Sequence, residues 1–221
     1  MQLDLFNAKR NEIVGASTYA ELKQRLADSG CKRCSLSEQR THIVVDRGNP
    51  EAPLVVIGEG PGEQEDLQGR AFVGKAGQLL DKIMEAVGLD TNRHMLILNV
   101  VKCRPPENRT PRGDEVEACL PYLQRQIALV KPKVVLLLGA TSLKHIDPSK
   151  KEFSMANEAG RFFMLGDYPG VHFMVLYHPA ALLYNARLKP DMWGHVQELR
   201  KFLKSKGWWP KDALSVKASG V

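Results

Sequence analysis

Four cysteines, Cys31, Cys34, Cys103 and Cys119, carry the most reactive chemistry in the sequence. The first two form a C-x2-C pair, 68 residues follow before Cys103, and 15 separate Cys103 from Cys119. A chain long enough to build its own core has little need of disulfides. Thiolates ligate zinc and iron–sulfur clusters alike, so both centres fit by ligand type. Spacing alone favours zinc, although structural zinc sites usually carry two close pairs or one compact knuckle and this sequence has one close pair. A second group of residues could form a binding crevice. Gly58-Glu59-Gly60-Pro61-Gly62 alternates glycines, which lets backbone N–H groups approach a ligand. Its spacing is G-x-G-x-G, so the dinucleotide fingerprint is not met. Gly69 to Lys75 reads G-x4-G-K, but Ala76 stands where a phosphate loop needs Ser or Thr to hold magnesium. Phe72 within that phrase could stack on a planar ligand. Asn99 lies at the end of an apolar run, where a buried amide must find partners. His178 follows another apolar run and precedes Pro179.

These residues need elements to position them. Short apolar runs at Leu54–Gly58, Met95–Val101, Lys133–Leu138 and Val171–Tyr177 read as four buried strands. Helical periodicity covers Thr18–Asp28, Gly77–Val87, Gly113–Val130, the start of a helix at Thr141–Ile146, and Pro190–Lys206. Strands alternating with helices predict an α/β fold: a central, four-stranded, mostly parallel sheet between two helical layers. Asp147–Asp167 reads as an irregular loop or short hairpin. Residues 1–210 are expected to form one domain, with 211–221 a loose tail. In such a sheet, ligands bind beyond the carboxyl ends of the strands. The glycine phrase, Asn99, Gly139-Ala140-Thr141 and His178 all lie there.

The sequence has 221 residues, with 31 Lys and Arg against 25 Asp and Glu, a net charge of +6 and a pI near 9.1. Ordinary apolar and charged fractions exclude a disordered or collagen-like chain. No run of about 18 apolar residues predicts a membrane span. The first residues carry acids and no apolar signal core, so a cytoplasmic protein is expected. The basic balance favours a polyanionic partner. The proline-stiffened stretch Lys102 to Arg112 offers Lys102, Arg104, Arg109 and Arg112 as phosphate contacts on the crevice rim.

The phrases GEGPGEQEDLQGRAFVGKAGQLLDKIMEAVGL, LNVVKCRPPENRTP and YHPAALL, with the cysteine set, resemble the family 4 uracil-DNA glycosylases, the iron–sulfur branch of their superfamily. The resemblance spans roughly Cys31 to Leu203. It implies a [4Fe–4S] cluster on Cys31, Cys34, Cys103 and Cys119, structural rather than redox-active in the reaction. It implies a monomer that excises uracil from single- or double-stranded DNA and releases the free base. It assigns Gly58, Glu59, Gly60, Phe72, Asn99 and His178 to the uracil pocket, with Glu59, Glu65 and His178 catalytic. Phe72 would stack on the base, Asn99 would read its edge and His178 would bond its oxygen. The apolar segment after His178 offers Leu182 as a wedge into the base stack, with Arg187 as a nearby DNA contact. Two departures stand out. Other branches of the superfamily carry Asp where Gly60 stands, and the family commonly has Arg where this chain has Tyr184. The rival readings are a non-catalytic iron–sulfur or zinc protein of the same fold that binds DNA, and a nucleotide-phosphate enzyme built around Gly74-Lys75.

Overall fold

Runs of Val, Leu and Ile bounded by turn formers become the strands of a six-stranded sheet. The structure is a computed structural model that describes residues 10–215. In chain order the elements are α1 (Tyr19–Asp28), β1 (Arg47–Gly48), β2 (Leu54–Gly58), α2 (Glu63–Gln68), α3 (Lys75–Ala86), β3 (Met95–Asn99) and α4 (Gly113–Val130), followed by β4 (Val134–Leu138), α5 (Gly139–Ile146), α6 (Met155–Glu158), β5 (Phe162–Met164), β6 (His172–Leu176), α7 (Pro179–Tyr184) and α8 (Lys189–Ser205). The strand order is β1-β3-β2-β4-β6-β5. The four central strands pair in parallel, as the sequence predicts. The two edges are additional: β1 pairs antiparallel with β3, and β5 pairs antiparallel with β6. Both are too short to leave a periodic signal, and β5 occupies the segment read as a loop or hairpin.

Alternation along the strands divides the core in two. Val55, Ile57, Leu96, Leu98, Val135, Leu137, Phe173 and Val175 pack with Leu22 and Leu26 of α1, Val116 and Leu123 of α4, and Leu143 of α5. Leu54, Val56, Met95, Ile97, Val134, Leu136, Met174 and Leu176 pack with Leu80 and Met84 of α3, Leu182 of α7 and Val196 and Leu199 of α8. Period-two side chains on both faces give the three-layer α/β/α architecture. Each fully buried Leu or Val contributes roughly 1.5–3 kcal/mol of transfer free energy before entropy is subtracted.

Residues 211–215, expected as part of a loose tail, dock on the body instead. The Leu214 N–H donates to the Gly88 carbonyl at 2.8 Å, and Asp212 pairs with Arg93 and His94. The polar composition of the tail conceals this, because its partners lie more than a hundred residues away. The remaining residues of that tail lie outside the described ones. No helix among the described residues is long and apolar enough to cross a membrane.

Candidate active site

Parallel pairing sets Gly58, the last residue of β2, beside Asn99, the last residue of β3. A Cβ on Gly58 would stand 2.5 Å from Cζ of Phe72 and 2.6 Å from Oδ1 of Asn99. Glycine is therefore required, and the three residues share one corner of the crevice. Asn99 is 1% exposed, and neither its Nδ2 nor its Oδ1 has a hydrogen-bond partner. A buried polar atom left unpaired costs about 1–3 kcal/mol, so an orphaned amide points to a ligand that pairs it. Phe72 is also buried, at a φ of 54°, in the left-handed region that a bulky residue seldom adopts. Two contacts hold it there. Glu65 accepts the N–H groups of Val73 and Gly74 on one carboxylate oxygen, each at 2.7 Å. Gly77 lets α3 close in, since a Cβ on it would lie 1.8 Å from the Phe72 carbonyl oxygen.

His178 caps the first turn of α7. Its Nδ1 accepts the Ala180 N–H at 3.2 Å, which places the proton of the neutral ring on Nε2. Burial pushes its pKa down to about 4, with the Glu65 carboxylate pulling the other way. The ring is thus neutral at pH 7 and offers one N–H donor. Its centroid lies 5.7 Å from that of Phe72. Gly139 leaves room for it, because a Cβ there would sit 3.1 Å from Cβ of His178. Glu59 is half-buried and accepts a hydrogen bond from the Thr141 hydroxyl of α5. A Cβ on Gly60 would fall 2.8 Å from Cγ2 of Val101, so an Asp there would meet that side chain. The crevice thus brings together an aromatic face, a donor–acceptor amide, a neutral imidazole N–H and a fixed carboxylate. Such a slot can hold a planar heterocycle and stabilise negative charge developing on it.

On the opposite face of the sheet, Cys31, Cys34, Cys103 and Cys119 are free thiols lining one cavity. Among the described residues, no group of three or more His, Cys, Asp or Glu converges so as to hold a metal ion. Burial pushes the Cys103 thiol up to about 11 and Cys119 up to about 12. Cationic and hydroxyl groups surround them: Arg40 Nη1 donates to the Cys103 sulfur at 3.3 Å, and the Tyr122 hydroxyl lies 3.8 Å from the Cys31 sulfur. Sequence reading passed over Glu115, which organises this region. Fully buried, it accepts from Ser35 Oγ at 2.9 Å, from the Arg112 N–H at 2.7 Å and from both terminal nitrogens of Arg109. It therefore ties the turn after Cys34 to the helix that carries Cys119. The Arg109 hydrogen bonds hold its carboxyl down at about 2. Thr141 and Glu115 left no local signal, since Glu59 and Ser35, the residues they hold, lie some eighty positions away.

The expected DNA contacts divide. Lys102 is 1% exposed and donates to the Asn99 carbonyl at 2.7 Å, so it cannot reach a phosphate. Burial pushes its pKa down to about 8. Leu182 is likewise no wedge: it is 2% exposed and packs into the core with Met192 and Val196. The exposed apolar residues of α7 are Leu183, at 49%, and Tyr184, at 91%. Arg109 is committed to Glu115. Arg104 is half-buried and donates to Asn108, while Arg112 and Arg187 are exposed.

Comparison with known proteins agrees with this geometry. Residues 45–204 match the family model described as the uracil DNA glycosylase superfamily. The chain is similar to a type-4 uracil-DNA glycosylase of Sulfurisphaera tokodaii, 42% identical over 175 residues, covering 77% of this chain and 79% of that one. It is similar to a type-4 uracil-DNA glycosylase of Thermotoga maritima, 38% identical over 179 residues, covering 80% and 91%. A type-5 uracil-DNA glycosylase of Pyrobaculum aerophilum is more distant, at 28% over 152 residues, covering 62% and 66%. The matched span holds every residue of the crevice, and the chain belongs to the uracil-DNA glycosylase superfamily, within its type-4 family.

Proposed function

We propose that this chain hydrolyses the N-glycosidic bond of deoxyuridine in DNA, releasing uracil and leaving an abasic site. The observation that carries the reading is the unpartnered Asn99 amide beside the Phe72 ring and the His178 imidazole. Uracil presents N3–H and O4 side by side, and one amide pairs both. A base inside a duplex must be extruded to reach such a pocket. Phe72 then stacks on the base. As the C1′–N1 bond breaks, its electron pair stays on uracil, and the His178 Nε2–H donates to an oxygen where that charge collects. Glu59, held by Thr141, faces the cationic sugar and orients the water, whose hydroxyl ends on C1′ and whose remaining proton ends on N1 of the departing uracil. Glu65 works at one remove, as a positioning residue that fixes the loop of Phe72. The experiment is single-turnover excision on uracil-containing oligonucleotides. Free uracil and alkali-labile sites should appear together, and DNA binding without either would defeat the reading.

The four thiols suit a [4Fe–4S] cluster by their chemistry and by the cavity they share, although as they stand no three of them converge to hold a metal ion. They line one cavity, no carboxylate or imidazole lines it with them among the described residues, and Arg40 and Lys102 supply positive charge beside them. Cys31, Cys34, Cys103 and Cys119 would hold the cluster and so tie the segment after α1 to the loop after β3 and to α4. Purified protein should be brown and hold about four irons per chain. Colourless protein with one tightly bound zinc would exclude the cluster.

The exposed pair Leu183 and Tyr184 takes the wedge role first expected of Leu182. It sits at the end of the helix that opens with His178, so insertion into the stack and leaving-group stabilisation share one element. Holding a base out of a duplex costs a few kcal/mol, and a single strand does not need that help. Tyr184→Ala should therefore slow excision from duplexes about tenfold and leave single strands within about twofold. Equal losses on both substrates would remove the wedge assignment.

A further inference from the structure

Lys102 links the cysteine cavity to the strand end that carries Asn99. Its side chain lines the cavity with Cys31, Cys34, Cys103 and Cys119. Its Nζ donates to the main-chain carbonyl of Asn99 at 2.7 Å. That carbonyl lies on the side of β3 facing away from β2, because the next residue, Val100, donates to Gly58 and successive residues alternate. On that side β1 pairs only as far as Ile97. Lys102 thus supplies the hydrogen bond that strand pairing does not, at the residue whose amide faces the base.

The lysine is 1% exposed, and a buried cation is costly unless opposite charge compensates it. Asp46 and the thiols of Cys119 and Cys103 are the groups near it whose ionised forms would compensate that charge. Asp46 is already shared, with Oδ1 on Lys23 at 2.8 Å and Oδ2 on the Tyr19 hydroxyl at 2.7 Å. The remaining compensation would come from the cavity that Lys102 lines, where Cys103 and Cys119 would carry negative charge once they ligate as thiolates. We propose that Lys102 is a positioning residue that couples the cysteine centre to base selection, by holding the main chain of Asn99 in register. The proposal rests on the base-reading role of Asn99.

A double-mutant cycle on the full chain tests it, read by single-turnover rate, DNA affinity and iron content. Lys102→Met should slow uracil excision by about 10- to 100-fold, as expected when a reacting geometry shifts by about an ångström. Affinity for the oligonucleotide should stay within about twofold. In an Asn99→Ala background the same substitution should cost less than about threefold, because a residue that acts through Asn99 is non-additive with it. Lys102→Met and Arg40→Met should both release iron to a chelator about tenfold faster than the unaltered chain, but Arg40→Met, which touches Cys103 and not Asn99, should keep its rate while loaded. Should Lys102→Met not accumulate, Lys102→Gln carries the same cycle, since it keeps a donor for Asn99 without the charge. It should shed iron quickly yet retain more rate. Equal losses in both backgrounds would make Lys102 an ordinary stabilising residue and overturn the proposal, as would an unimpaired rate in Lys102→Met. Asn99→Ala at full rate would defeat the base-reading role itself.

Discussion

His178→Ala should lose about 100- to 1000-fold in single-turnover excision, about 3–4 kcal/mol, on single and double strands alike. The size follows from where the donor acts. Nδ1 is occupied by the Ala180 N–H, so the only ring proton is on Nε2, on a ring whose centroid lies 5.7 Å from that of Phe72. Uracil in the ground state is neutral, and its oxygens gain charge as the glycosidic bond breaks. A donor fixed beforehand therefore strengthens its bond in the transition state, and DNA affinity should change little. The alanine also removes the N-cap of α7, worth about 1 kcal/mol of stability. His178→Asn separates the two effects, because its short amide can still accept from Ala180 but cannot reach as Nε2 does. It should fold as well as the unaltered chain and lose a comparable rate. If both variants keep near-normal rates, the anion is held by backbone donors of the glycine phrase instead.

The same burial fixes a pH dependence. His178 has a pKa lowered from 6.5 to about 4 in the folded state. Between those values the unfolded chain binds the proton and the folded chain resists it. The histidine therefore costs stability as pH falls from about 6.5 toward 4, and has no effect above that window. Denaturation midpoints should fall less steeply over this range in His178→Asn than in the unaltered chain. The excision rate should show no inflection near 6.5 from this group, because the ring is already neutral there.

What the sequence makes legible follows from the range of each interaction. The four central strands are strongly patterned: Leu54–Ile57 and Val134–Leu138 are buried at every position and read so from composition alone. Asn99 and His178 are conspicuous because a polar residue at the end of such a run must be explained. Lys102 deceives for the opposite reason. In Lys102-Cys103-Arg104 it looks like part of a basic loop, and only the fold shows its side chain buried and bonded to the Asn99 carbonyl. Leu182 reads as an exposed wedge from the sequence because nothing there marks Pro179–Tyr184 as a helix. Once α7 is seen as helical from Pro179, positions three apart share a face, which buries Pro179 and Leu182 and leaves Leu183 and Tyr184 outside. Thr141 on Glu59 and Glu115 on Ser35 are contacts across some eighty residues, between side chains with no local reason to be noticed. The cysteines fall between these cases. Their chemistry is plain from their type, but the cavity they share exists only because α4 and the segment after α1 pack on one face of the sheet.

Asn99→Asp should reduce uracil excision by about 1000-fold or more, since a site built on buried hydrogen bonds discriminates strongly when one is reversed. The amide accepts from N3–H and donates to O4. An ionised Asp keeps the acceptor but sets a second acceptor against O4, and its charge opposes the negative charge that uracil acquires. Cytosine presents the reverse pattern at the same edge, with an acceptor at N3 and a donor at C4, so the native amide cannot satisfy it in the same pose. Stability separates this reading from a structural one. An Asn that held the fold through its side chain would be costly to replace, but both polar atoms of Asn99 are without partners in the folded chain. Replacing an unpaired buried polar group with an apolar one of similar shape is close to neutral or stabilising. Asn99→Leu should therefore melt no lower than the unaltered chain while losing excision to at least the same degree as Asn99→Asp. Inactivity together with undiminished stability marks a residue kept for its ligand. A drop in melting temperature with the rate of the folded fraction preserved would mark Asn99 as part of the scaffold, and would leave selection of uracil to Phe72, His178 and the main chain of Gly58 to Gly60.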